Sequence, residues 1–171
     1  MAELVTNPRE LLAVRLRTML WTELKLAEEV LPELLEQARS TDLRYGFERH
    51  LVETRGHVDT IRDVLRELQV PAEPAESPAL AGLVSEHEQL LGQVSGEGHL
   101  LADLAHAQAA AATEHLELAS YDSLTSLAEA LGEEEIAIRL REVMEQEELA
   151  LELVDRAQAK LLAEKVEAER L

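Results

Sequence analysis

Apolar positions recur at helical spacing along nearly the whole chain, and few residues interrupt them. Pro8 suits the first turn of a helix that runs to about Arg39. Pro32 lies inside that stretch and predicts a kink or a division. Ser40-Thr41-Asp42 reads as a stop followed by a new N-cap, with a second helix from about Leu43 to Gln69. Val70 to Pro78 holds three prolines and is the one clear linker. A shorter crossover helix follows, about Ala79 to Val94, and Ser95-Gly96-Glu97-Gly98 breaks it. The next helix runs from about His99 to Leu131, with Gly132 as its C-terminal stop. Glu133-Glu134-Glu135 favours the start of a last helix, which continues towards Leu171 and is expected to fray after about residue 165.

Short turns join the first pair and the last pair of long helices, and a long connection spans about 70–98 between them. The reading is one all-α domain over residues 1–171, a ferritin-like four-helix bundle with a crossover helix between helices 2 and 3. A plain coiled-coil assembly is the alternative; the prolines at 71, 74 and 78 argue against a continuous rod.

The informative positions are those that break the apolar stripes. On the first helix the stripe reads Leu16, Leu20, Glu23, Ala27, Val30, Leu34. On the last it reads Ile136, Leu140, Val143, Glu147, Ala150, Val154. The second helix carries His50, Glu53 and His57 beside its aliphatic row. The third places Glu114, Glu117 and Tyr121 among alanines and leucines. Burying an unpaired carboxylate costs several kcal/mol, so each needs a proton, a base or a metal. Glu23 and Glu53 are 30 residues apart, as are Glu117 and Glu147, which predicts that the hairpins bring these pairs to similar heights. Four converging carboxylates with the His57 imidazole make a donor set for divalent cations, with a further residue fixing the His57 tautomer.

A blander reading pairs single glutamates with Arg17, Arg49, Arg55 or Arg139, and treats His50, His87, His99, His106 and His115 as ordinary core or surface histidines. Tyr121 reads as a core residue, or as a hydrogen-bond donor to Glu117 or to a metal-bound oxygen.

Composition narrows the function further. Against 35 Asp+Glu there are 16 Lys+Arg, a net charge of −19, which opposes nucleic-acid phosphates and anionic membrane surfaces. Hydrophobic residues at 46% are too many for a disordered acidic chain. The absence of cysteine excludes disulfides, thiolate metal sites and Cys nucleophiles. No apolar run reaches the roughly 18 residues of a membrane span, and the Met1-Ala2-Glu3-Leu4 start lacks a signal pattern, so a cytoplasmic protein is expected. There is no phosphate-binding glycine loop, no serine nucleophile motif and no His-Glu-x-x-His.

Several stretches resemble the YciE/YciF-like branch of the ferritin-like superfamily. They are Leu20-Trp-Thr-Glu23, His50-Leu-Val-Glu-Thr-Arg-Gly-His57, Gly82-Leu-Val-Ser-Glu86, Thr113-Glu-His-Leu-Glu-Leu-Ala-Ser-Tyr121, and Leu131-Gly132 followed by Glu145-Gln-Glu-Glu148. The resemblance covers most of the chain. It implies a carboxylate-rich dimetal position, with iron as the expected metal and manganese as the other candidate, a homodimer, and an association with stress responses. It places Glu23, Glu53, Glu117 (with Glu114) and Glu147 at the ligand positions of the four helices.

Two departures stand out. The superfamily's Glu-x-x-His on the second helix becomes Glu53 with Gly56 and then His57, and the matching slot on the last helix is Ala150. The expected function is a carboxylate-rich dimetal, di-iron-binding protein with a stress-related oxidase, peroxidase or iron-handling role and Glu23, Glu53, His57, Glu114, Glu117 and Glu147 as ligands. The alternative is a non-catalytic helical oligomerisation protein with a degenerate site.

Overall fold

The computed structural model describes residues 4–94 and 99–168, and all regular structure among them is helical. Helix α1 spans Pro8–Lys25, a π-helical turn spans Leu26–Val30, and α2 spans Leu31–Gln37; together they form one rod. Helix α3 is Thr41–Glu67, α4 is Pro78–Leu91, α5 is His99–Ala130 and α6 is Glu134–Ala168. The break expected at Ser95-Gly96-Glu97-Gly98 and the fraying expected towards Leu171 fall on or run into residues outside those described. The helix itself persists to Ala168.

Local chemistry explains the boundaries. Asn7 caps α1 by accepting from Glu10 N at 3.0 Å, and Pro8 occupies the first helical position, where an N–H is not needed. Pro32 acts on the preceding turn. Its ring would crowd the carbonyl four residues back, and the chain widens by one residue there, so that Leu31 N donates to Leu26 O. The expected division is therefore a π turn, with the rod unbroken. Ser40 caps α3, and the buried Asp103 of α5 accepts from Arg39 N at 2.9 Å and Ser40 N at 2.7 Å, tying the α2–α3 turn to the opposite hairpin. Gly132 takes φ +75°, and Glu133 N donates back to Ala128 O at 2.9 Å, closing α5 with a Schellman turn. Both α3 and α4 end two or three residues earlier than their apolar patterns suggest, at Glu67 and Leu91.

The four long rods close a ring, with α1 on α3, α3 on α6, α6 on α5 and α5 on α1; α4 lies against α5. This is the expected bundle with its crossover helix. The connection before α4 is held to α1, where Arg17 Nε donates to Glu73 O at 2.8 Å and Ala75 N donates to Arg17 O at 3.0 Å.

The buried apolar side chains form two clusters. One includes Leu16, Leu20, Ile61, Leu65, Leu124 and Leu140. The other includes Leu34, Phe47, Leu80, Leu104, Val154 and Leu161. In each of the four rods the residues of one cluster precede, and those of the other follow, the same short polar interval. That interval holds the stripe-breaking residues. No helix among those described is long and apolar enough to cross a membrane.

Candidate metal centre

Six buried side chains meet between the two apolar clusters. Glu23 comes from α1, His50 and His57 from α3, Glu114 and Glu117 from α5, and Glu147 from α6. Glu23, Glu117 and Glu147 have no exposed surface. The helical period accounts for the alignment: His50 and His57 are seven residues apart, two turns of α3, and Glu114 and Glu117 are one turn apart on α5.

The six side chains sort into two groups that share one member. His50, Glu114, Glu117 and Glu147 each offer one donor atom within 4.8 Å of the others, and so do Glu23, His57 and Glu147. Glu147 divides its oxygens between them. Its Oε1 lies 3.0 Å from Nδ1 of His57, and its Oε2 lies 3.7 Å from Nε2 of His50. His57 Nδ1 is 3.5 Å from Glu23 Oε2, and His50 Nε2 is 3.3 Å from Glu114 Oε1.

Further contacts orient the donors. Nε2 of His57 hydrogen-bonds Gln146 Oε1 at 2.9 Å. The Gln146 oxygen accepts from Nε2–H and so leaves Nδ1 turned to the carboxylates. The buried Tyr121 hydroxyl donates to Glu23 Oε1, leaving Oε2 turned to His57. Tyr121 is thus a core residue, as the sequence suggests, and its hydroxyl serves Glu23 and not Glu117.

The clustering of these groups is electrostatically adverse. Burial, then the charge of Glu147, pushes the carboxyls of Glu114 and Glu117 well above their ordinary range. Burial raises Glu147 as well, against the pull of His57. Burial, then the charge on His57, lowers His50 to about 3. Burial also works against a proton on His57, but Glu147 and Glu23 outweigh it and hold that imidazole up at about 11. Burial, then Glu23, raises Tyr121 well above the usual phenol range.

The donor set fits metal binding. Four carboxylate oxygens, Glu114 Oε2, both of Glu117 and Glu147 Oε2, are buried without a hydrogen-bond partner. Such orphans are costly in a folded interior. A divalent cation with ligands at roughly 2.1 Å holds opposite donors about 4.2 Å apart, close to the spacing here. Four carboxylates also balance the charge of two divalent cations.

Glu53, expected among the ligands, is brought into neither group. It sits at the flank of α3 with 18% of its side chain exposed, and its Oε1 accepts from Arg49 Nε at 2.9 Å. The equal 30-residue spacing thus brings Glu117 and Glu147 together but does not carry Glu53 inward. His50, read as an ordinary histidine, takes the inner position. The imidazole missing at Ala150 is matched by a second one on α3.

Residues 7–167 match the model of a family described as a domain of unknown function, DUF892. The chain belongs to that family. Over 124 residues it is 32% identical to Protein YciF of Escherichia coli (strain K12), covering 72% of this chain and 74% of that protein. The crystal structure of the E. coli stress protein YciF matches with a TM-score of 0.85 at 26% identity, over 93% of this chain and 99% of that one. YcfI from Rhodopseudomonas palustris matches with a TM-score of 0.78 at 28% identity, over 94% and 96% of the two chains. The DUF892 chain is therefore a YciF-like member of the ferritin superfamily, and the paired clusters lie in the middle of its bundle.

Proposed function

We propose that this chain binds two divalent cations, iron in the first instance, in a carboxylate-bridged centre for oxidase, peroxidase or iron-handling chemistry. The observation that carries the reading is the position of Glu147, whose two oxygens face different imidazoles and different clusters. His57 and Glu23 hold one cation, and His50, Glu114 and Glu117 hold the other. Iron bound there supplies one electron per ion, enough in pairs to reduce dioxygen, with two protons, to hydrogen peroxide. The chain's own groups position and insulate. Gln146 aims His57, Tyr121 aims Glu23, and the apolar clusters at either end keep water from the carboxylates. Manganese suits the same oxygen-rich donor set. The E. coli relative YciF is a stress protein, and a stress-linked role for this chain is part of the proposal.

The test is elemental analysis of protein purified without chelator. Two transition-metal ions per chain, with both lost in Glu147→Ala, are expected. A folded wild-type protein that neither retains nor takes up metal would return the chain to the alternative of a helical protein with a degenerate site.

A further inference from the structure

Beneath α4 lies a partly open cavity of about 30 Å³ that His50 and Glu114 help to line. Its walls are mostly aliphatic, with Val30 from the π turn, Leu34 from α2, Leu83 and Val84 from α4, and Ala110 from α5; Thr113 also lines it, its hydroxyl donating to Ala109 O at 3.0 Å. Outside it, between α4 and α5, runs an open groove of about 440 Å³ with Glu86, Gln89, Gln93 and Gln108 along it. Leu83, His87 and Ala109 line both spaces, so they form the partition between groove and cavity. His87 is the one polar side chain of that partition, and its Nε2 is hydrogen-bonded to Nδ1 of His106 at 3.0 Å.

We propose that groove and cavity form an access route to the centre for a small uncharged molecule of the dioxygen type, with His87 as its gate. The inference rests on the dimetal reading above. With the Thr113 hydroxyl and His87 Nε2 already bonded within the protein, the walls give an ion or a peroxide little to replace its hydration, whereas an apolar diatomic gives up no hydrogen bonds on entering. A space of about 30 Å³ has room for a few water-sized molecules at most, which suits a diatomic. The π turn contributes directly, because Val30 belongs to it. Among the described residues one hydrogen bond, to His106, fastens the gate, so swinging His87 aside breaks that bond and leaves the helices in place.

The first test uses the metal-free chain. Under oxygen pressure, paramagnetic relaxation of the methyl groups of Leu34, Val84 and Ala110 should exceed that of Leu16 and Ile61 in the far cluster. Val84→Trp, which fills the cavity from the half-buried face of α4, should erase the excess. The second test loads the protein with ferrous iron: Val84→Trp should slow oxidation by dioxygen roughly tenfold at unchanged metal content, and His87→Ala should speed it. Equal relaxation at both methyl sets overturns the route. So does an oxidation rate untouched by both substitutions. If Val84→Trp does not fold, the wild-type relaxation and His87→Ala still decide. Wild-type protein that binds no iron, or binds it without oxidising it, counts against the dimetal reading; the relaxation experiment then judges the route alone.

Discussion

Gln146 Oε1 lies 2.9 Å from Nε2 of His57, on the side of the ring turned away from the carboxylates. The neighbouring Glu147, on the same helix, faces the other side of that ring, with Oε1 3.0 Å from Nδ1. Adjacent residues of α6 therefore engage the two nitrogens separately, Gln146 at Nε2 and Glu147 at Nδ1.

Gln146→Leu tests that division. The imidazole loses its acceptor at Nε2, while every proposed ligand stays. Metal affinity should fall by roughly 10–100-fold, with metal stoichiometry restored at high concentration. Competitive titration against a chromophoric chelator measures it, and an unchanged affinity would remove Gln146 from the centre.

Glu147→Ala and Glu53→Ala should behave oppositely. Glu147 belongs to both clusters, so its loss should empty both positions. Glu53 is paired with Arg49 on a partly exposed flank. Removing it should leave metal content intact and cost at most about 1 kcal/mol of stability. Elemental analysis and thermal melts of the two variants check the contrast; loss of metal in Glu53→Ala would show that loading rearranges α3.

This pair also marks how far the sequence could be read. Glu23, Glu114, Glu117 and Glu147 were legible because a carboxylate in an aliphatic stripe has no cheap structural role. His57 was legible from the same row. The bundle and crossover followed from prolines 71, 74 and 78 and from the short turns at Ser40 and Gly132. On α3 the outcome turned on rotation about the axis. His50, Glu53 and His57 fall along one row, and a modest turn decides which of them face inward. The signal for His50 was its two-turn spacing from His57; the signal against Glu53 was Arg49, four residues back and able to claim it. The π form of Leu26–Val30 was not legible, because Pro32 requires a disturbance upstream without specifying which.

Tyr121→Phe removes the donor to a fully buried Glu23 oxygen. An unsatisfied buried acceptor costs about 1–3 kcal/mol, and for a chain of this size each kcal/mol moves Tm by roughly 2–4 °C. The metal-free variant should melt lower by that amount. Metal should recover part of the loss, because a cation satisfies the same carboxylate. Melts with and without chelator separate the two effects; an unchanged metal-free Tm would mean that the hydroxyl contributes nothing to holding Glu23.

The pH dependence of stability should reverse the usual expectation for an acidic protein once metal is stripped. His57 is held at about 11 in the folded chain against an ordinary 6.5, so the stability it contributes is complete below 6.5 and drains away as pH climbs through 11. The raised carboxyls of Glu114 and Glu117 act in the same direction, because the folded state keeps protons that the unfolded chain has released above about 4.5. His50 acts oppositely, but only between about 3 and 6.5, since its folded value is lowered. Above pH 6.5 only the falling contributions remain. Chelated protein should therefore lose stability from pH 6.5 to 9, by up to roughly 1.4 kcal/mol per pH unit for each proton involved. Metal-loaded protein should not follow, because bound cations replace those protons and binding tightens as they leave. The Tm difference between loaded and chelated samples should widen with pH, and His57→Gln should flatten the chelated curve. A chelated protein whose Tm holds level or rises across that range would contradict the arrangement of His57 between Glu23 and Glu147.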